Sequence, residues 1–469
     1  MVDLTCDVAI IGAGTAGLAA ERRARRNGAK TILIDESFSG TTCTNVGCMP
    51  SKLLIAAGDA AHAAKSASVF GVEANPQING RAVLKRLRTK RDEFIAGVKD
   101  SLDALPDGVK HKGHARFVDR TRLTTGADVF VQAKAIVIAT GAKPFIPKFL
   151  GGLEDRVLTN ETLFELKDLP HSIGVIGAGP LGLELAQALA RLGVTVTMFD
   201  ESDTLAALDD HEIASALRAI LEKEFAIHLG VELSARRDGD GIALAWSGES
   251  DGKARFDYVL AAAGRPPRLH DLGLEASGLT LDEHGAPKVD PNTMQCENAP
   301  IFIAGDAEHA RPVLHEAQAE GSIAGRNAAA FPDVTPAKRM PPLSIMFTDP
   351  SMALVGARPG KDADSLSGSA SFEDQGRAQA FATNQGLAKV FADRRGKLIA
   401  ATIVTPAGEH LAHLLAWAIQ QGLSASDLLD LPFYHPSYEE GLKPALRAIC
   451  EAVDSTVPAD REDGFLAGS

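Results

Sequence analysis

Cysteine is scarce in this chain, with five residues in 469. Cys6, Cys43, Cys48, Cys296 and Cys450 are thinly spread and odd in number, and a chain of this length is no small disulfide-stapled module. Sparse thiols suit a reducing compartment and make any close pair a candidate for redox chemistry, and only Cys43 and Cys48 are close. Long apolar runs are lacking too. Nowhere do the roughly 18 uninterrupted apolar residues of a spanning helix occur, and the first eleven residues hold no basic leader ahead of a longer apolar core. The expectation is therefore a cytoplasmic chain with no membrane partner. Positive charge is in deficit, with a formal net charge of −13 and basic clusters such as residues 22–26 only local. That balance argues against gripping nucleic-acid phosphates or anionic membranes, which demand concentrated positive charge.

What is present begins with apolar content. At 45% hydrophobic residues the chain can bury several cores, and its length predicts about three domains. An internal repeat says which kind. Gly12-Ala13-Gly14-Thr15-Ala16-Gly17 recurs as Gly177-Ala178-Gly179-Pro180-Leu181-Gly182. Each copy follows an apolar strand-like run, opens a helical pattern and leads to a second strand ending in an acid, Asp35 or Asp200. A dinucleotide site needs such glycines for the tight turn, for close backbone approach to a pyrophosphate and for helix–strand packing. The helix N-terminus adds free N–H groups and positive dipole. Each acid can accept hydrogen bonds from ribose hydroxyls. Either acid alone is explained as a solvated strand end, but the matched pair is not. Two such sites imply two dinucleotides.

Further apolar runs end in glycine turns: Ile138-Ala139-Thr140-Gly141, Ala263-Gly264-Arg265-Pro266 and Ile303-Ala304-Gly305-Asp306. Any one of these alone is an ordinary strand end, although Asp306 is placed to meet a cofactor's polyol chain. The chain divides into an α/β domain over 1–149, an inserted α/β domain over 150–277, a return to the first over 278–340, a C-terminal α+β domain over 341–456 and a loose tail over 457–469. The fold class is thus α/β, with two Rossmann-like dinucleotide-binding domains and a C-terminal α+β domain.

The most specific stretch is Cys43-Thr44-Asn45-Val46-Gly47-Cys48-Met49-Pro50-Ser51-Lys52, two thiols ahead of an apolar helix. Residues five apart on an ideal helix point about 140° away from each other. A bond between these thiols therefore needs a distorted turn, which Gly47 and Pro50 permit. The adjacent helix N-terminus would hold a reactive thiolate. On the residues alone the pair also reads as two buried small side chains or half a zinc site. No second Cys pair or His cluster at ligand spacing completes that site, and no metal is expected. Lys52 alone reads as a solvated helix lysine. Near the C-terminus, His435-Pro436-Ser437-Tyr438-Glu439-Glu440 reads as a helix start, and equally as an acid–base group, since imidazole changes charge near neutral pH.

Taken in order over nearly the whole chain, these motifs resemble the pyridine nucleotide-disulfide oxidoreductases of the dihydrolipoamide dehydrogenase and glutathione reductase type. The resemblance implies FAD at Gly12, Gly14, Gly17, Asp35 and Asp306, and NAD at Gly177, Gly179, Gly182 and Asp200. It extends the cofactor set to Thr42, Lys52, Thr140, Gly141, Gly264 and Arg265. By the same carry-over Cys43 and Cys48 form a redox disulfide, Cys48 facing the flavin as a charge-transfer thiolate and Cys43 exchanging with the substrate. Lys52 pairs with Glu184 near the flavin, and His435 with Glu440 is the acid–base pair. The C-terminal domain becomes a dimerisation domain, and the working unit a homodimer. The expected partner is a lipoyl-bearing protein or a small disulfide. Pro50-Ser51-Lys52 fits the lipoamide type better than the glutathione type, and the missing C-terminal cysteine pair weighs against mercury reduction. A glutathione-reductase-like or other disulfide reductase and a docking subunit of a lipoyl-dependent assembly remain the alternatives.

Departures from the lipoamide pattern bear on the substrate. Thr41 stands where the pattern has a second glycine, Ser437 replaces threonine, and Phe433, Tyr434 and Tyr438 put aromatic bulk around His435. The segment beginning at Pro312 is one residue short. The entrance is therefore expected to suit a less common disulfide partner. Because Asp200-Glu201-Ser202-Asp203 offers three carboxylates and no arginine, NAD(H) is expected over NADP(H).

Overall fold

The computed structural model describes residues 2–358, 360 and 364–453. The expected tail, 457–469, lies outside the described residues. Two parallel sheets repeat one plan. In the first, the strand Val2–Ile11 lies between Thr31–Asp35 and Val129–Ile138, parallel to both, and Ile301–Ile303 extends the sheet beyond Val129–Ile138. In the second, Ser172–Ile176 lies between Thr195–Phe199 and Tyr258–Ala261, again parallel to both. The short strand Val157–Leu158 adds to the far side of Tyr258–Ala261. The strand segments that lead into the glycine loops, 8–11 and 173–176, are buried on both faces, so they read as unbroken apolar runs rather than as alternation.

Each glycine loop is built the same way. Gly12 and Gly177 have φ of +103° and +110°, and a Cβ on either would stand 2.4 Å from the carbonyl oxygen of Ala139 or Ala262, on the neighbouring strand's end. A Cβ on Gly17 or Gly182 would stand 1.8 or 2.1 Å from the carbonyl oxygen of Gly12 or Gly177, so the helices Thr15–Arg26 and Pro180–Arg191 can start only where they do. Both requirements are steric and exclude any larger residue.

A three-stranded antiparallel sheet covers one face of the second parallel sheet, packing Ile242, Leu244 and Phe256 on Ile176, Phe199 and Val259. Leu269, Leu272 and Leu274 pack in the first sheet's core with Ile136 and Ile303. The chain thus rejoins the first sheet ahead of the expected return at 278. Leu272 and Leu274 sit on short 3-10 turns and Leu269 just before the first, which give no strand or helix period to read.

The C-terminal part is a five-stranded antiparallel sheet, Leu343–Met346, Ser351–Gly356, Leu398–Thr405, Leu387–Ala392 and Leu366–Ser371 in spatial order. The helices Gly408–Gln421 and Lys443–Ala452 bury Leu411, Leu415, Leu446 and Ile449 against it. Among the described residues no helix is long and apolar enough to cross a membrane, and no His, Cys, Asp and Glu side chains gather as a metal cluster.

Candidate active site

The dithiol stretch folds as a helix interrupted once. Thr42–Asn45 forms one short turn, Val46 leaves helical geometry, and Cys48–Ser66 starts anew. Gly47 is the break: a Cβ there would stand 2.9 Å from the Thr42 carbonyl oxygen. The interruption cancels the 140° divergence of a continuous helix, and the Cys43 and Cys48 thiols hydrogen-bond each other as free cysteines. Thr41, the departure from glycine, is buried and caps the short turn, its Oγ1 accepting from the Thr44 N–H at 3.4 Å. It caps the turn while lining the cavity that Gly12, Gly14 and Asp35 also line.

The two thiols are unequal. Cys48 is pulled down to about 7, first by the hydrogen bond from Cys43 and then by the Lys52 cation, while the same bond and burial push Cys43 up. Cys48 is also the first residue of its helix, where the free N–H groups favour an anion. Lys52, one turn on, donates from Nζ to Glu184 Oε2 at 2.7 Å. The other oxygen of Glu184 accepts from the Phe347 N–H at 2.9 Å, and the Phe347 ring lies 4.3 Å below the lysine nitrogen. Glu184, 5% exposed, is therefore a buried carboxylate with both oxygens engaged. Phe347 has no signal in the sequence, since it reaches Glu184 across 163 residues.

Three cavities adjoin here. One of about 570 Å³ is lined by Gly12, Gly14, Asp35, Thr42, Thr140 and Gly141. The next, about 500 Å³, shares Gly14, Thr42 and Gly141 with it and holds Cys43, Cys48, Lys52, Glu184, Arg265 and Asp306. The third, about 800 Å³, shares Arg265 and Asp306 with the second and is lined by Gly177, Gly179, Asp200 and Gly264. Gly17 and Gly182 line none of them and act in helix packing. Gly14 and Gly179 have nothing within 4 Å of where a Cβ would stand, so both open on space at a helix N-terminus. Asp35 Oδ2 accepts from the Ala13 N–H at 2.9 Å, and Asp200 takes the equivalent bond from Ala178. Each acid thereby braces its own glycine turn while lining the cavity. The two cradles fit two dinucleotides, and the dithiol cavity shares lining residues with both. Asp200 and Glu201 line the third cavity and Asp203 does not, so two of that segment's three carboxylates face it.

His435 and Glu440 meet each other but not the dithiol. His435 Nδ1 lies 3.1 Å from Glu440 Oε2, which also accepts from the Ser437 N–H, while Oε1 takes Lys443 at 3.2 Å. A buried carboxylate holding Nδ1–H leaves Nε2 as the free base. Neither residue lines the cavity that contains Cys43 and Cys48. The aromatic bulk near His435 is mostly directed elsewhere. Tyr438 packs on the C-terminal core with its hydroxyl 3.2 Å from Thr383 Oγ1, Phe433 lies under Lys443, and Tyr434, at 85% exposure, stands free. His413 of the helix Gly408–Gln421 does line the dithiol cavity, and the sequence reading missed it.

The family model described as pyridine nucleotide-disulphide oxidoreductase matches residues 6–321, and that family's dimerisation domain matches 343–446. This chain belongs to that family. A mercuric reductase from Streptomyces lividans is 32% identical over 463 residues, covering 95% of this chain and 97% of its own. A dihydrolipoyl dehydrogenase from Thermus scotoductus is 31% identical with the same coverage. The crystal structure of LpdA from Mycobacterium tuberculosis superposes with a TM-score of 0.81 over 95% of this chain and 99% of its own, at 24% identity, which speaks for the fold. The chain is accordingly a flavoprotein disulfide oxidoreductase that uses FAD and a pyridine nucleotide and carries a dimerisation domain.

Proposed function

We propose that this chain is a dihydrolipoyl dehydrogenase, oxidising dihydrolipoyl groups with NAD⁺ through Cys43 and Cys48. A flavin held by Gly12, Gly14, Asp35, Lys52 and Asp306 supplies the passage of electron pairs between the nicotinamide and the thiols. The chain's own residues supply the rest. Lys52 and the helix start hold Cys48 as thiolate, Cys43 exchanges with the substrate sulfur, and His435, oriented by Glu440, takes the proton that a dithiol must lose before it attacks.

The observation that carries this reading is the His435–Glu440 pair, 3.1 Å apart with its carboxylate buried. A positioned base is what a dithiol substrate requires, and a metal-ion substrate does not. The dihydrolipoyl dehydrogenase relatives support the same choice. Because the pair stands outside its own chain's dithiol cavity, we infer a homodimer in which His435 of one chain faces Cys43 of the other.

The test is a turnover screen of the purified holoenzyme with dihydrolipoamide and NAD⁺, glutathione disulfide and NADH, and mercuric ion with either reduced nicotinamide. Dihydrolipoamide should give the highest kcat/KM, and His435→Ala should lower it about 10²- to 10⁴-fold. Preference for mercuric ion, indifferent to His435, would instead place the chain beside the Streptomyces lividans relative.

A further inference from the structure

Between the two thiols, the carbonyl of Val46 is held from outside the loop. It accepts from the Asn160 side-chain amide at 2.7 Å, and Asn160 Oδ1 in turn accepts from Arg265 Nη1 at 3.0 Å. The second guanidinium nitrogen, Nη2, donates to the Ala142 carbonyl at 3.0 Å. Asn160 is 3% exposed. A guanidinium has only donors, so Oδ1 must face it and the amide N–H must face Val46; the side chain has one orientation.

The anchors come from the nucleotide-binding sheet. Asn160 follows the strand Val157–Leu158 and Arg265 follows Tyr258–Ala261, neighbours in parallel register, so both emerge at the same sheet end. Both also line the dithiol cavity and the nucleotide cavity. Val46 closes the short turn Thr42–Asn45, where a helix leaves its last carbonyls without partners.

We propose that Asn160, oriented by Arg265, is a positioning residue that sets the redox equilibrium of the Cys43–Cys48 pair by pinning the loop between them. The inference rests on the dithiol–disulfide reading above. The equilibrium is disulfide + NADH + H⁺ ⇌ dithiol + NAD⁺: the S–S bond breaks, two electrons come from the nicotinamide, and the second proton comes from solvent. A pinned loop keeps the thiols in bonding reach, which favours the disulfide. Released, the loop gains more freedom as the dithiol than as the disulfide, which stays covalently closed. Loss of the pin therefore shifts the equilibrium toward the dithiol. A buried amide–carbonyl bond of this kind carries up to about tenfold in an equilibrium, or about 30 mV for two electrons.

The experiment equilibrates the FAD-loaded enzyme anaerobically in oxidised and reduced dithiothreitol and counts alkylated thiols per chain by mass. Asn160→Ala should raise the dithiol-to-disulfide ratio about tenfold at a given buffer ratio. Asn160→Asp keeps its bond to Arg265 but sets an oxygen against the Val46 carbonyl, so it should move the ratio the same way and at least as far. Because it is nearly isosteric, it also serves if the alanine variant does not fold. Arg81→Ala, which breaks an exposed ion pair with Asp168, should leave the ratio unchanged. Ratios within twofold of wild type in a folded Asn160 variant, beside a wild-type chain that shows the two-thiol transition, would overturn the proposal alone. A wild-type chain with no such transition would overturn the dithiol–disulfide reading and the proposal with it.

Discussion

Cys48 takes its reactivity from three neighbours, the Cys43 thiol that donates to it, the Lys52 cation and the helix N-terminus it begins. Its thiol is pulled down to about 7, so it is mostly protonated below that pH and mostly thiolate above it. In enzyme reduced by NADH, the long-wavelength band of a thiolate beside flavin should therefore grow as pH rises through about 7. Cys43→Ser should keep the band and abolish exchange with substrate, Cys48→Ser should abolish the band, and Lys52→Met should move the midpoint to higher pH. A midpoint unmoved by Lys52→Met would remove the lysine from this role. At the nucleotide end, Asp200 and Glu201 would both face a 2′-phosphate, and the segment 200–203 offers no arginine to answer it. Repulsion on the order of a few kcal/mol predicts a kcat/KM for NAD(H) about a hundredfold above that for NADP(H). The cysteines and the two acids were legible in the sequence because each sits in a local motif, whereas Lys52 alone reads as a solvated helix lysine and takes its role there only from the family resemblance. Phe347 and Asn160 were not legible, because their roles arise from contacts made across 163 and 114 residues, and His413 joins the dithiol cavity only through the fold.

Helices and loops show the same division between what a local pattern reveals and what packing decides. The glycine repeat was legible, and so were the strands that feed it, since buried parallel strands are continuous apolar runs. Its three glycines are not equivalent, and that difference is testable. Gly17→Ala would press a methyl into the Gly12 carbonyl and should cost about 3 kcal/mol or more, read as loss of stable folding. Gly14→Ala meets nothing within 4 Å and should fold with nearly unchanged apoprotein Tm but lose FAD, whose backbone approach it obstructs. Equal Tm losses in both variants would contradict this assignment. What no local pattern revealed is the stripe Glu184, Gln187 and Arg191 along one face of the helix Pro180–Arg191. Arg191, with a side chain 3% exposed, reaches Asp59 at 2.7 Å, Glu224 at 2.8 Å and Asp349 at 3.1 Å. It thereby ties the dithiol helix and the C-terminal sheet to the nucleotide-binding half. Two of its partners are half exposed, so Arg191→Met should cost about 3 kcal/mol, the lower end for breaking a buried pair, measured by urea denaturation.

For the whole molecule, the proposed two-chain site follows from one arrangement: the acid–base pair is complete in itself and stands apart from its own chain's dithiol. Sequence could supply both halves but not their placement, because a separation of 387 positions between Cys48 and His435 is compatible with meeting inside one fold or across two. A heterodimer of His435→Ala with Cys48→Ser has one site with both defects and one intact. It should recover roughly half of wild-type turnover, although each homodimer is inactive. Verified heterodimers with bound FAD and no recovered turnover would return the pair to its own chain. The central claim, that electrons from the nicotinamide reach the Cys43–Cys48 pair, is tested most directly by anaerobic titration of the oxidised holoenzyme with NADH while newly exposed thiols are counted. One equivalent of NADH per chain should produce two new thiols in the wild type and none in Cys43→Ser. Complete bleaching of the flavin by that one equivalent, with no new thiols in the wild type, would contradict the account.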